Sequence, residues 1–259
     1  MILAHTEAVG GRIIMEDDEN DTRRKNQMKT SIGIAFVVLL IASVASAGQF
    51  GPPEPTADTG KFSVGMGYWL DRSEMRVDHD TLTAKSRQLY LQGDYTFIKD
   101  WEAYGRLGGA SLKLDNDGAD FRDRMRGYGT LGLKGVAYRY QNFAVGPFVE
   151  SSLYRDHKDS IDGNNVKVKD QWDLNLGVSA QYKIPVGSCD LTVYGGPFAY
   201  WNRSTLDVTG LASEDAREKN NIGGFLGVKV PIVKQKMFLT AECQFKDKIG
   251  TGVSISYTF

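Results

Sequence analysis

Apolar and polar residues take turns along this chain from Lys61 to Phe259, in runs of roughly 10–14 residues broken by turn signals. Successive side chains of a strand point to opposite faces, so a period of two specifies strands with one greasy side and one polar side. A helix would space its apolar residues at 3.6. The pattern predicts an all-β fold with no helical layer.

The runs cover residues 61–70, 87–98, 101–114, 127–140, 143–155, 171–184, 190–202, 221–232, 237–246 and 250–259. The cleanest places Trp172, Leu174, Leu176, Val178, Ala180, Tyr182 and Ile184 on one side. Parity fades near Leu112, which suggests a bulge. The connections alternate in character. Lys99-Asp100, Gln141-Asn142 and residues 185–189 and 233–236 are short, whereas 71–86, 115–126, 156–170 and 203–220 are long, polar and charged. Short turns at one end and long loops at the other are the asymmetry of an antiparallel up-and-down barrel in a membrane. The connection near Asp247-Lys248 is a short exception. Ten strands are expected; eight is the alternative if one weak hairpin is loop.

Three features favour a membrane over a soluble barrel. The runs meet or exceed the ~9–11 tilted residues that cross a bilayer. Aromatic residues fall near strand ends, at Tyr68, Phe97, Trp101, Phe143, Trp172, Tyr182, Trp201, Phe238, Tyr257 and Phe259, where interfacial girdles lie. The other face carries Gln92, Asp94, Glu102, Arg106, Lys134, Glu150, Asp173, Asn175, Gln181, Lys183, Lys229, Glu242 and Gln244, too polar for a dry core. The apolar side must then look outward, which lipid rewards. A mean hydropathy of −0.32 agrees, because such strands are apolar only at alternate positions.

The one long apolar run, Ile32 to Val44, is too short to span a bilayer as a helix. Arg23, Arg24, Lys25 and Lys29 precede it, and Ala45-Ser46-Ala47 follow, so cleavage before Gly48 is expected. The chain thus divides into an extended N-terminal segment 1–27, with Met28 as the natural start, a signal peptide 28–47, a flexible Pro/Gly-rich periplasmic lead-in 48–60 and a barrel 61–259. Setting aside the leader's five basic and six acidic residues leaves 26 of each sign, a neutral balance that does not suggest nucleic acid.

The C-terminal GVSISYTF places Val253, Ile255, Tyr257 and Phe259 at alternate positions and stops on the aromatic. It resembles the closing strand of bacterial outer-membrane β-barrel proteins, and the whole is similar to small OmpA-like or porin-like barrel domains. The resemblance implies residence in the outer membrane, contact with lipid and lipopolysaccharide, and reading of those four residues by the barrel-assembly machinery. It implies no cofactor.

Inward charges nearly balance: Asp94, Glu102, Glu150, Asp173 and Glu242 against Arg106, Lys134, Lys183 and Lys229. A salt-bridged, constricted lumen is expected, further filled by Tyr90, Tyr104, Tyr138, Phe148, Tyr154, Tyr194 and Phe198. A narrow channel for small polar solutes is the rival reading. His79 and His157 sit among acids in outer loops, which raises an omptin-like rim hydrolase, but the omptin motifs do not match and no catalytic residue is assigned. Adhesion through the long loops is a further alternative. No His/Cys cluster suggests a metal, and Cys189 and Cys243 read as isolated thiols. Glycines inside strands, such as Gly65, Gly67, Gly195 and Gly196, read as room for lumen aromatics.

Overall fold

A computed structural model describes residues 49–77, 80–116, 119–161, 164–187, 189–208, 214–218, 221–233 and 236–259. The strands are β1 (Phe62–Val77), β2 (Asp80–Ile98), β3 (Trp101–Asn116), β4 (Ala119–Arg122), β5 (Arg126–Gly135), β6 (Tyr138–Tyr140), β7 (Phe143–Tyr154), β8 (His157–Ile161), β9 (Asn164–Val186), β10 (Cys189–Val208), β11 (Glu214–Glu218), β12 (Ile222–Val233), β13 (Met237–Phe245) and β14 (Ile249–Thr258). All pairings are antiparallel. The order β1-β2-β3-β5-β7-β9-β10-β12-β13-β14 closes when β14 returns to β1, from Ser63↔Thr258 to Leu70↔Thr251. This is a closed ten-stranded barrel; β4 and β6 continue the β5 stave, β8 that of β7, and β11 that of β12.

Side chains sort by face as the period of two requires. Val64, Met66, Leu89, Leu91, Leu107, Leu131, Leu153, Leu176 and Leu226 are exposed on the outer wall. Leu107 and Leu131 each show 75% of their surface. A belt of this extent would be costly in water and is natural against acyl chains. Exposed Tyr68, Phe97, Phe143, Tyr182, Trp201, Tyr257 and Phe259 flank it. Phe238 departs from the girdle expected in the sequence. Its side chain faces inward, under the ammonium of Lys229.

Most of the expected long loops are strand. Strand β9 runs for 23 residues and β10 for 20, roughly twice the ~9–11 needed to cross a bilayer. The barrel therefore stands well clear of the belt at the long-loop end. There the outer wall carries Arg72, Arg87, Lys113, Arg155 and Lys167 in place of aliphatics. The short Asp247-Lys248 turn also finds its reason here. Above it, β11 bypasses the β13–β14 hairpin and pairs directly with β1, Met75↔Glu218 to Val77↔Ala216. Lys248 reaches Glu74 at 2.7 Å and Lys246 reaches Asp71 at 3.8 Å beneath that closure.

The bulge expected near Leu112 is absent: the β2–β3 register runs unbroken from Thr83↔Asp115 to Tyr95↔Ala103. Leu112 is an apolar residue on the inner face, which blurred the parity. Irregularities fall between Tyr95 and Ile98, Arg203 and Thr205, and Pro231 and Val233. Tyr138, expected in the lumen, is 58% exposed, because the break between β5 and β6 resets the phase of that stave.

Candidate functional site: the filled lumen

The interior is built from inward side chains of every stave and, unexpectedly, from residues 49–60. The sequence reads 48–60 as a lead-in outside the barrel. In the structure residues 49–53 are buried, and the segment runs from mid-lumen to the short-turn end. Phe50 fills the centre. Its ring stacks on Phe148 at 4.4 Å between centroids and meets Phe198 and Phe225 edge-on at 4.9 and 5.2 Å. Ring pairs of this geometry add to the gain from area alone.

Barrel side chains satisfy the polar backbone of this segment, as a buried chain requires. The Glu242 carboxylate accepts the N–H of Phe50 at 3.0 Å and of Gly51 at 2.9 Å, with Tyr194 donating its hydroxyl at 3.0 Å. Gly51 takes a φ of 77°, a left-handed turn that glycine adopts without strain. The N–H of Thr56 goes to Glu102 at 2.5 Å, and that of Glu54 to Gln181 at 3.3 Å. Ser179 donates to the Gly51 carbonyl at 3.1 Å and Thr96 to that of Ala57 at 2.9 Å.

The charged residues read from the sequence fall into these contacts. Arg106 pairs with Glu150 at 2.8 Å, donates to Gln92 at 2.7 Å and caps the Gln49 carbonyl. Tyr104 adds a hydroxyl to Glu150 at 2.9 Å. Lys134 lies 3.3 Å from Glu102, and Lys183 lies 2.6 Å from Glu54 of the inner segment, which also binds Arg139. Asp94 accepts from Ser63 and Gln92, each at 2.6 Å. Asp173 accepts from Tyr154 at 2.8 Å. Lys229 is the exception: among the described residues its one hydrogen bond runs 3.3 Å to the Thr56 hydroxyl. Tyr90, Tyr104, Phe148, Tyr194 and Phe198 are buried. Several rings lie flat over glycines of the next stave. A Cβ on Gly67 would meet the Tyr90 ring at 2.3 Å, and one on Gly227 the Tyr194 ring at 2.3 Å.

Val253, Ile255, Tyr257 and Phe259 lie along and just past β14, at the seam with β1. Ala45, Ala47 and Gly48, the signal-peptide and N-terminal segments, and His79 lie outside the described residues. His157 is described and differs from a solvated rim histidine. It is 1% exposed, with Nδ1 3.2 Å from Asp123, whose carboxylate also takes the Lys158 N–H at 2.9 Å and Arg126 at 2.9 Å. The cluster joins the start of β8 to the β4–β5 break. Burial lowers the His157 pKa against the opposing pull of Asp123. Burial would raise Asp123, but hydrogen bonds from Arg126 and from the Lys158 and Arg124 amides outweigh it and hold the carboxyl below its ordinary range. Cys189 and Cys243 are not joined in a disulfide.

The inner segment was invisible to pattern reading, since Pro and Gly signal turns wherever they sit. Phe50, the one aromatic of 48–60, was the only residue there that wanted burial.

No known protein family and no curated protein matches this sequence. Solved structures match its fold. The translocator domain of autotransporter NalP from Neisseria meningitidis superposes with a TM-score of 0.51 at 12% identity, over 90% of this chain and 98% of that one. The outer membrane protease OmpT from Escherichia coli gives 0.47 at 11% identity, over 78% and 98%. Ail of Yersinia pestis, solved with the heparin analogue sucrose octasulfate, gives 0.37 at 16% identity, over 78% and 99%. The chain thus has the closed antiparallel barrel fold of outer-membrane proteins. The likeness is one of fold.

Proposed function

We propose that this protein is a sealed barrel of the bacterial outer membrane, exported by a signal peptide cleaved before Gly48, with a structural or surface role rather than a conducting one. The single observation that carries this reading is the lumen. Phe50 and its neighbours occupy it, and the carboxylates, amides and cations of the wall, Lys229 apart, are spent on one another and on that segment. A pore would hold water along the same path.

The apolar belt supports lipid as the surrounding solvent. Short turns, including Lys99-Asp100 and Gln141-Asn142, then face the periplasm, and the tall strand extensions face outward. The basic row of Arg72, Arg87, Arg155 and Lys167 just above the belt suits the phosphates of lipopolysaccharide. The alternating Val253, Ile255, Tyr257 and Phe259 at the closing seam suit recognition during assembly. The enclosed Asp123–His157 pair supports a staple for the rim rather than a hydrolytic centre.

Conductance in planar bilayers tests the sealed lumen. The full protein is expected to stay silent after insertion; discrete ohmic steps would favour a narrow porin-like channel instead.

A further inference from the structure

Lysines inside a barrel need partners, because an unpaired buried ammonium loses its hydration without return. Lys134 has Glu102 and Lys183 has Glu54. Lys229 has no carboxylate within 4 Å among the described residues. Its residue is 9% exposed, its Nζ is 3.3 Å from the Thr56 hydroxyl, and it lies 4.5 Å from the centre of the Phe238 ring. An ammonium carries three donors, and among the described residues one is used.

The free side of Lys229 faces a cavity of about 410 Å³ at the short-turn end of the barrel. The register Thr192↔Lys229↔Thr240 places Lys229 between two buried threonines, and Thr56, Thr192, Phe238, Pro55 and Pro231 line the same space. The walls therefore combine a buried cation with no carboxylate within 4 Å among the described residues, two hydroxyls and an apolar side. The other acids of the cavity are accounted for or set apart. Glu54 is held by Lys183 at 2.6 Å and by Arg139, and Asp58 by Lys61 at 2.8 Å. Asp190 lies one inward row nearer the rim than Thr192, ~7 Å along the strand. Lys236 also lines the mouth.

We propose that this cavity is a binding site for a small organic carboxylate with an apolar body, open to the periplasm in the orientation given above. The carboxylate sits on the Lys229 ammonium beside the Thr56 and Thr192 hydroxyls, and the apolar part rests against Phe238 and Pro231. The volume falls within the ~300–1,000 Å³ usual for small-molecule sites. The site depends on the filled interior, because Thr56 and Pro55 belong to the inner segment, but not on whether the barrel conducts.

Benzoate titrated into the folded protein in detergent micelles, followed by ligand-observed NMR, tests this. Saturable binding is expected, with no binding of the neutral isostere benzamide. Lys229→Met should weaken benzoate binding by at least roughly tenfold while the protein keeps the heat-modifiable gel migration of a folded barrel. The comparison of benzoate with benzamide on the unaltered protein does not depend on a variant folding. Absence of saturable benzoate binding, equal binding of benzamide, or undiminished binding by folded Lys229→Met would overturn the proposal. Displacement of benzoate by an equal concentration of inorganic phosphate would overturn the assignment of an apolar body.

Discussion

Single residues divide here by whether their charge is compensated. Arg106 is the most heavily engaged cation, sharing Glu150, Gln92 and the Gln49 carbonyl. Arg106→Met would strand Glu150 in a buried site, a loss of about 3–5 kcal/mol. The urea midpoint of refolded protein, followed by gel migration, should fall sharply. The double change Arg106→Met with Glu150→Met should recover much of it, since removing both charges leaves neither unpaired. Lys229 is the converse: with no carboxylate within 4 Å among the described residues, its exchange for Met should leave the midpoint unchanged or raised. At the outer rim the sign of a pH effect follows from two groups. His157 has its pKa depressed in the folded state, so it costs nothing above the unfolded value near 6.5 and penalises folding increasingly as pH falls below it. Asp123 is also depressed, so its stabilisation is present above the unfolded value near 3.8 and is lost as pH falls through its folded pKa. Both make the rim weaker in acid. Protection factors of the β8 amides, which are corrected for intrinsic exchange, should fall as pH drops below about 6.5, and His157→Asn should remove that dependence.

Among elements, the inner segment 49–60 carries the seal. Deleting residues 49–57 removes the central ring of Phe50 and the backbone amides that Glu242 and Glu102 accept. Conductance should then appear in planar bilayers where the full chain is silent; continued silence would place the seal in the wall side chains alone. Element by element, the sequence was most legible where lipid enforces its pattern. Strands β1, β3, β5, β7, β12, β13 and β14 begin within a residue of the alternating runs, because each outward position there must be apolar. Legibility failed above the belt, where both faces meet water and alternation loses its meaning. The upper parts of β1, β2, β9 and β10 read as loop for that reason, though stretches such as Thr81-Leu82-Thr83 and Val166-Lys167-Val168 keep β-forming side chains. The lumen charges were legible from facing alone. Their pairing was not, since it depends on which staves adjoin and on a segment from outside the repeat.

The whole molecule rests on one inversion: greasy side chains outside, ion pairs and aromatic rings within. Closure leaves no edge among the ten staves at the belt; above it β11 meets β1, while β4 and β8 each pair on one side only. Substitution at Leu131, mid-strand on the outer wall and 75% exposed, probes that inversion most directly. With unfolding followed in phospholipid vesicles, Leu131→Arg should lose about 2–4 kcal/mol, the cost of a cation at the bilayer midplane. A surface leucine facing water would change stability by no more than about 0.5 kcal/mol on the same exchange. A Leu131→Arg variant as stable as the parent would contradict the lipid-facing assignment of the outer wall.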